Sequence, residues 1–112
     1  MFEKVRWLPV RRPLTPVPVF GHTLISFSNK AIFFGGTNER GEGVSFRSAC
    51  VINLNFFSSR IFVFCGEYPS ERDGHSTNGL TLQHSPGVIL FGGLSGNHFC
   101  NDVYILELDF KR

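Results

Sequence analysis

His98 and Cys100 come closest, in type and spacing, to a catalytic arrangement, because a histidine can deprotonate a thiol for nucleophilic attack. On a strand, side chains two positions apart point the same way, so these two groups could meet. The structural alternative places His98 in a loop and Cys100 at the start of a strand, with no third group evident to orient the histidine. We adopt the structural interpretation and predict no catalytic residue and no enzyme.

A metal site is the second chemistry to consider, since the chain contains four histidines. Metal ligands must converge in a fitting number and geometry. Two of the histidines occupy the same place in an internal repeat, which gives them a structural explanation. The chain also lacks the phosphate-cradling, dinucleotide-binding, zinc-protease and Cys-x-x-Cys motifs. The expectation is therefore no metal and no cofactor. The histidines are His22, His75, His84 and His98.

The three cysteines, Cys50, Cys65 and Cys100, are an odd number without the paired spacing of a disulfide framework. They lie in or beside apolar runs that read as strands, and we interpret them as small buried apolar residues.

Composition limits the class of protein and its partners. With 42% hydrophobic residues, 13 phenylalanines and 18% charged residues, the chain has enough apolar material for a folded core. A formal net charge of +2 argues against general nucleic-acid binding. The sequence shows no membrane span and no secretory signal, so we expect no membrane partner and a location in the cytoplasm or the nucleus.

The elements that position these residues are strands, and they occur in an internal repeat of about 54 residues. Gly21-His22 returns as Gly74-His75, and Gly35-Gly36 returns as Gly92-Gly93. Each glycine pair follows a short apolar run, which is typical of a buried strand that ends in a conformation open to glycine. The predicted strands are residues 21–27, 31–34, 48–54 and 60–65 in the first copy, with residues 88–91 and 101–109 as the second and third strands of the second copy.

The second copy carries a short motif at each of three places. It opens with Arg72, Asp73, Gly74 and His75, has its glycine pair after the second strand, and closes with Asn101 to Tyr104. This order resembles the Kelch repeat, which forms one four-stranded blade of a β-propeller. The first copy differs, because Val19-Phe20 replace the opening arginine and Cys50 replaces Tyr104. The resemblance implies structural roles for Trp7, Gly21, His22, Gly35, Gly36, Arg72, Gly74, His75, Gly92, Gly93 and Tyr104.

The resemblance implies an all-β fold, an incomplete Kelch-type β-propeller of about two four-stranded antiparallel blades. Residues 1–8, with Trp7, are expected to form an isolated fourth strand of a preceding blade. A proline-rich connector of residues 9–20 follows, and its alternative role is a ligand for a proline-binding domain, with Arg11 and Arg12 beside Pro13 to Pro16. The first blade is residues 21–65, the next connector residues 66–73, and the second blade residues 74–109, without its fourth strand.

Strand direction predicts a functional rim, because in an antiparallel blade the loop after the second strand and the connector to the next blade emerge at the same end. Loop residues 37–46 are expected to be exposed and mobile, and they share the rim with residues 94–99, residues 68–73 and Arg11-Arg12. The predicted function is a protein-interaction module, a scaffold that binds a peptide or protein partner. The alternative is part of a larger Kelch-containing enzyme or enzyme-linked regulator. The predicted contact residues are Asn38, Glu39, Arg40, Glu42, Tyr68, Asn97 and His98.

Two repeat units cannot close a propeller, which typically has four to eight blades. The sequence therefore predicts either a fragment of a longer propeller or a homotrimer with six blades. In the trimer, the strand predicted at residues 2–8 would pair beside residues 101–108 of a neighbouring copy.

Overall fold

A computed structural model describes residues 5–10 and 19–108 of the chain. Over these residues the fold is all-β, with antiparallel pairing throughout and no helix, and hence no helix that could cross a membrane. The strands are β1 (Thr23–Phe27), β2 (Lys30–Phe34), β3 (Ser48–Asn53), β4 (Ser58–Val63), β5 (Ser76–Thr81), β6 (Pro86–Phe91), β7 (Leu94–Ser95), β8 (His98–Phe99) and β9 (Val103–Glu107).

The first sheet is four-stranded, in the order β1-β2-β3-β4. Its register places Ile32 opposite both Ile25 and Val51, so these β-branched side chains share one face. The central strand β3 is buried on both faces between Ala49 and Ile52. This explains why its sequence is an apolar run without alternation.

The second sheet is three-stranded, in the order β5-β6-β9, and β7 with β8 forms a separate two-stranded ribbon. Val88 and Leu90 of the central strand lie opposite Leu106 and Tyr104 of β9. These four side chains face the first sheet, because they pack into a cluster with Ile32, Phe34, Phe46, Ala49, Val51 and Leu108. The main core therefore lies between the two sheets, and β1 contacts β5 along their inner edge.

The sequence repeat is visible in the backbone. Gly21 and Gly74 have φ values of 72° and 70°, and the glycine pairs have 67° and 99° in the first unit against 75° and 105° in the second. The residue before each Gly-His forms an antiparallel bridge with the residue after each glycine pair, Phe20 with Thr37 and Asp73 with Leu94. The two units thus share one local geometry at their equivalent turns.

Several expected boundaries differ from the structure. Residues 5–8 of the strand predicted at residues 1–8 lie outside every described strand, and Trp7 is 96% exposed; residues 1–4 lie outside the described range. A strand needs a paired backbone, and no described strand pairs with this segment. The fourth strand of the first sheet covers Ser58–Val63 rather than residues 60–65. β9 begins at Val103, so Cys100 precedes it.

Two predictions about burial are corrected as well. Phe46, expected in an exposed loop, is 4% exposed because its ring packs in the core between the sheets. Of the cysteines, only Cys50 is buried, whereas Cys65 is exposed and Cys100 is intermediate. Cys65 lies two residues beyond the end of β4 and therefore outside the paired sheet.

Candidate functional site

Three segments that are far apart in sequence meet at one end of the two sheets and enclose a cleft of about 550 Å³. They are the loop after β2, the connector that precedes β5, and the β7–β8 hairpin. These segments correspond to three of the four predicted parts of the rim; the fourth, Arg11-Arg12, lies outside the described residues. The cleft is lined by Thr37, Gly41, Gly43, Ser70, Glu71, Arg72, Asp73, Leu94, Ser95 and Gly96.

The loop after β2 is held by Asn38. Its side-chain oxygen accepts hydrogen bonds from the backbone N–H groups of Arg40 at 3.0 Å and Glu42 at 2.9 Å. Its amide nitrogen donates to a Glu42 carboxylate oxygen at 2.9 Å. Asn38 therefore fixes the shape of the loop, in the manner of an Asx turn. Glu39 and Arg40, which follow it, have exposed side chains.

The connector is anchored by Arg72, whose side chain is buried. Its guanidinium donates to an Asp102 carboxylate oxygen at 2.6 Å, to the carbonyl oxygen of Gly92 at 3.1 Å and to that of Ser70 at 3.1 Å. Through the hydrogen bond between them, Asp102 raises the pKa of Arg72, and Arg72 lowers the pKa of Asp102. The positively charged Arg72 guanidinium thus joins the connector to the second sheet.

Side chains also link the three segments across the cleft. The Thr37 hydroxyl donates to an Asp73 carboxylate oxygen at 2.6 Å, and the Ser95 hydroxyl donates to the carbonyl oxygen of Glu71 at 2.7 Å. A Cβ atom placed on Gly43 would lie 2.8 Å from the Cβ of Glu71, which shows how closely the loop approaches the connector. The cleft is therefore built by specific contacts and not by three independent loops.

His75 lies at the base of this arrangement, between the units. Its Nε2 atom is 2.9 Å from the hydroxyl oxygen of Thr23, and its ring meets the Phe46 ring edge to face at a centroid distance of 5.2 Å. Burial lowers the pKa of His75. A hydrogen bond with the Phe34 backbone acts in the opposite direction, but burial has the larger effect. The imidazole is therefore held as a neutral packing element and does not face the cleft.

The predicted contact residues lie on the three segments that form the cleft, but none of them is among the residues that line it. Glu39, Arg40, Glu42, Tyr68, Asn97 and His98 are exposed, and Asn38 is half-buried. The sequence analysis missed the polar lining groups Thr37, Ser70, Glu71, Asp73 and Ser95. A signal for two of them was present, because Thr37 directly follows a glycine pair and Asp73 directly precedes a Gly-His pair.

The other candidate chemistries gain no supporting geometry. Cys100 contacts the backbone carbonyl oxygen of His98, with its sulfur at 3.9 Å, rather than the imidazole. Within the described ranges, no three histidine, cysteine, aspartate or glutamate side chains are placed to hold a metal ion.

Comparison of the chain with known protein families finds no match, and a comparison with curated proteins finds none either. The geometry of the described residues therefore carries the functional inference.

Proposed function

We propose that this chain is a protein-interaction module that binds a peptide or an exposed protein loop in the cleft between the β2–β3 loop, the connector and the β7–β8 hairpin. The observation that carries the proposal is the cross-linking of these three segments around one cleft of about 550 Å³. A cleft whose walls are fixed before binding loses less entropy when a ligand binds.

The chemistry of the cleft favours a partner with a basic side chain. Glu71 and Asp73 line it, and Glu39 and Glu42 stand on the adjoining loop, whereas Arg72 is already paired with Asp102. Arg40 is exposed on the same loop as Glu39 and Glu42. Complementary charge across an interface mainly gives specificity and fast association, so a lysine or arginine of the partner would fit here.

The proposal includes the architecture, in which the two sheets are adjacent blades of a Kelch-type β-propeller. Three observations support this assignment. The two units share their glycine conformations, they share the bridge that closes the turn at the rim, and they pack face to face with β1 against β5. In this arrangement the three cleft segments lie at one rim, and loops held on a rigid scaffold are a common place for binding residues.

The test uses selection of binders from a displayed random peptide library with the full chain, followed by affinity measurement on the selected peptides. We expect the selected peptides to share a lysine or arginine. Glu71→Arg reverses a charge in the cleft and should weaken binding by about tenfold or more.

Glu67→Arg is the matched control, because it makes the same charge change at an exposed position of the same connector outside the cleft lining. It should leave the affinity within about twofold. Failure to select any binder, or equal losses in the two variants, would contradict the proposal.

A further inference from the structure

The second sheet ends in the edge strand β9, and among the described residues no strand pairs with its outer side. The Asp102 carbonyl and the Leu108 N–H form hydrogen bonds at 3.3 Å and 3.0 Å with β6 and the glycine that follows it. Along an antiparallel edge the backbone polar groups of successive residues point alternately to one side and the other. Val103, Ile105 and Glu107 therefore direct their N–H and C=O groups away from β6, where they are free to bind another strand.

In the first sheet the equivalent edge is occupied. When the glycine pairs are aligned, the strand registers place Cys50 at the position of Tyr104, so β3 corresponds to β9. The carbonyl oxygens of Arg47 and Asn53 accept hydrogen bonds at 2.8 Å from the residues that flank β4. β4 itself pairs antiparallel with β3 over the six residues Ser58–Val63. The repeat thus fills the position beside β9 with a strand in its first unit.

The two edge strands also differ in how they are protected. β4 opens with Ser58, Ser59 and Arg60, which are all exposed, and polar or charged residues on an edge discourage pairing with another chain. β9 reads Val-Tyr-Ile-Leu-Glu and contains no lysine, proline or glycine. An edge of this kind readily pairs with a further strand.

A recess of about 50 Å³ lies between the sheets, on the face of β9 that points to the first sheet. Tyr104 and Leu106 line it, together with Phe64 and Pro69, which follow the edge strand of the first sheet. A side chain opposite Tyr104 on an added strand would point the same way and lie over this recess. Because a cavity that holds a benzene ring measures about 150 Å³, the recess accepts a valine-sized group and excludes an aromatic ring.

The other face of β9 defines the remaining side chains of a matching strand. Val103 and Ile105 are 54% and 58% exposed, so apolar side chains opposite them would bury apolar surface on both strands. Glu107 is exposed at the end of β9, and a lysine or arginine opposite it would form a cross-strand ion pair.

We propose that the outer edge of β9 binds an extended segment of a partner protein as an antiparallel strand. The segment carries aliphatic residues opposite Val103 and Ile105, a valine-sized residue opposite Tyr104, and a basic residue opposite Glu107. Hydrogen bonds to the backbone of β9 supply affinity, and the recess supplies specificity. This edge shares no lining residue with the rim cleft, so the interaction goes beyond the proposed function.

The probe is a soluble synthetic peptide with the core Lys-Thr-Ile-Val-Ile, which in antiparallel register lies opposite β9 from Glu107 to Val103. Hydrogen exchange of the full chain, followed by NMR, reports on each backbone amide. With the peptide bound, the outward amides of Val103, Ile105 and Glu107 should exchange about tenfold more slowly or slower still. The amides of Tyr104 and Leu106 already face β6 and should change little. This alternation is specific for strand pairing.

Modified peptides separate backbone pairing from side-chain contact. A peptide with methyl groups on the nitrogens of its Ile-Val-Ile core keeps its side chains but cannot donate hydrogen bonds to β9, so it should slow no amide. A peptide with tryptophan in place of the valine should bind about tenfold more weakly or worse, because its ring does not fit the recess.

A matched pair of variants locates the site. Ile105→Pro removes an outward N–H without removing a hydrogen bond to β6, and it should abolish the binding. Ile61→Pro makes the same change at an exposed, outward-facing position of the edge strand β4, and it should bind the peptide like the wild type. The exchange pattern of the wild type tests the proposal even if a proline variant does not fold.

Several results would overturn the proposal. An exchange pattern unchanged up to about 1 mM peptide refutes strand pairing at this edge. Equal binding of the methylated peptide means that side chains dock without pairing. Outward β9 amides that are already protected in the free chain mean that a segment of the chain itself covers the edge, and protection that grows with protein concentration means that a second copy does.

The rim cleft provides an independent control. Glu71→Arg should still bind the strand peptide, and Ile105→Pro should still bind the peptides selected for the cleft. This proposal and the proposed function can therefore fail separately.

Discussion

Alanine substitution at Gly35 and at Gly92 measures how much the packing between the units contributes to stability. The two glycines hold equivalent positions and have similar φ values, 67° and 75°. Alanine in this left-handed region costs about 1–2 kcal/mol, and the reduced freedom of the unfolded chain offsets about 0.4–1 kcal/mol of that cost. This backbone contribution should be the same in both variants.

The steric contribution differs between them. At Gly35 the added Cβ would lie 2.5 Å from the Phe46 ring and 2.6 Å from the His75 ring, and both rings are buried. Displacing well-packed side chains by one methyl group costs about 1–3 kcal/mol. At Gly92 the nearest atom is the Cys100 carbonyl oxygen at 3.4 Å, an ordinary contact. Gly92→Ala should therefore destabilise the fold by about 1 kcal/mol and Gly35→Ala by about 2–4 kcal/mol.

Urea denaturation followed by circular dichroism gives both free energies of unfolding. The protein concentration is kept low enough for sedimentation to show only monomer, so that association contributes to neither free energy. Equal destabilisation by the two substitutions, within about 0.5 kcal/mol, would refute the close approach of Phe46 and His75 to Gly35. A larger loss at Gly92 would refute the equivalence of the two units.

Two further predictions concern pH. Arg72 lowers the pKa of Asp102, so this group contributes stability above the unfolded value of about 3.9 and loses it as the pH falls through the lower folded pKa. The free energies of unfolding of Asp102→Asn and the wild type should thus differ by a constant amount above about pH 5, and this difference should shrink in acid. A difference that stays constant down to acid unfolding would contradict the ion pair. Burial lowers the pKa of His75, so only the unfolded chain takes up this proton as the pH falls below about 6.5. Below that pH the free energy of unfolding should fall by at most about 1.4 kcal/mol per pH unit. His75→Gln should remove this part of the pH dependence in urea titrations. An unchanged pH dependence would mean that the pKa of His75 is not lowered by folding.

The sequence predicts the central strands well because two strong signals coincide there. Residues 88–91 are an apolar run followed by a glycine pair, and β6 ends at Phe91 with Gly92 and Gly93 at positive φ. The bounds of the edge strand β4 are predicted less accurately. Most of its side chains are exposed, so its apolar pattern is too weak to show where the strand begins and ends. The β7–β8 ribbon is too short to show any alternation.

The cleft could be anticipated in its location but not in its lining. Antiparallel connectivity alone brings the three segments to one end, so the predicted rim follows from the strand order. The hydrogen bond between Thr37 and Asp73 joins two units, so the glycine motifs mark the two positions but neither segment alone predicts the contact. Phe46 was missed for the same reason, because this single aromatic residue in a polar loop packs in the core that the two sheets form together.

The shared environment of His75 has a consequence for how the chain folds. This residue belongs to the second unit, yet its two contacts belong to the first unit. The Thr23 hydroxyl forms a hydrogen bond with its Nε2 atom, and the Phe46 ring packs against its ring. The turn that opens the second unit therefore reaches its native surroundings only after β1 and the β2–β3 loop are in place. Such long-range dependence favours a single cooperative transition with slow, non-local closure, rather than two units that fold and unfold separately.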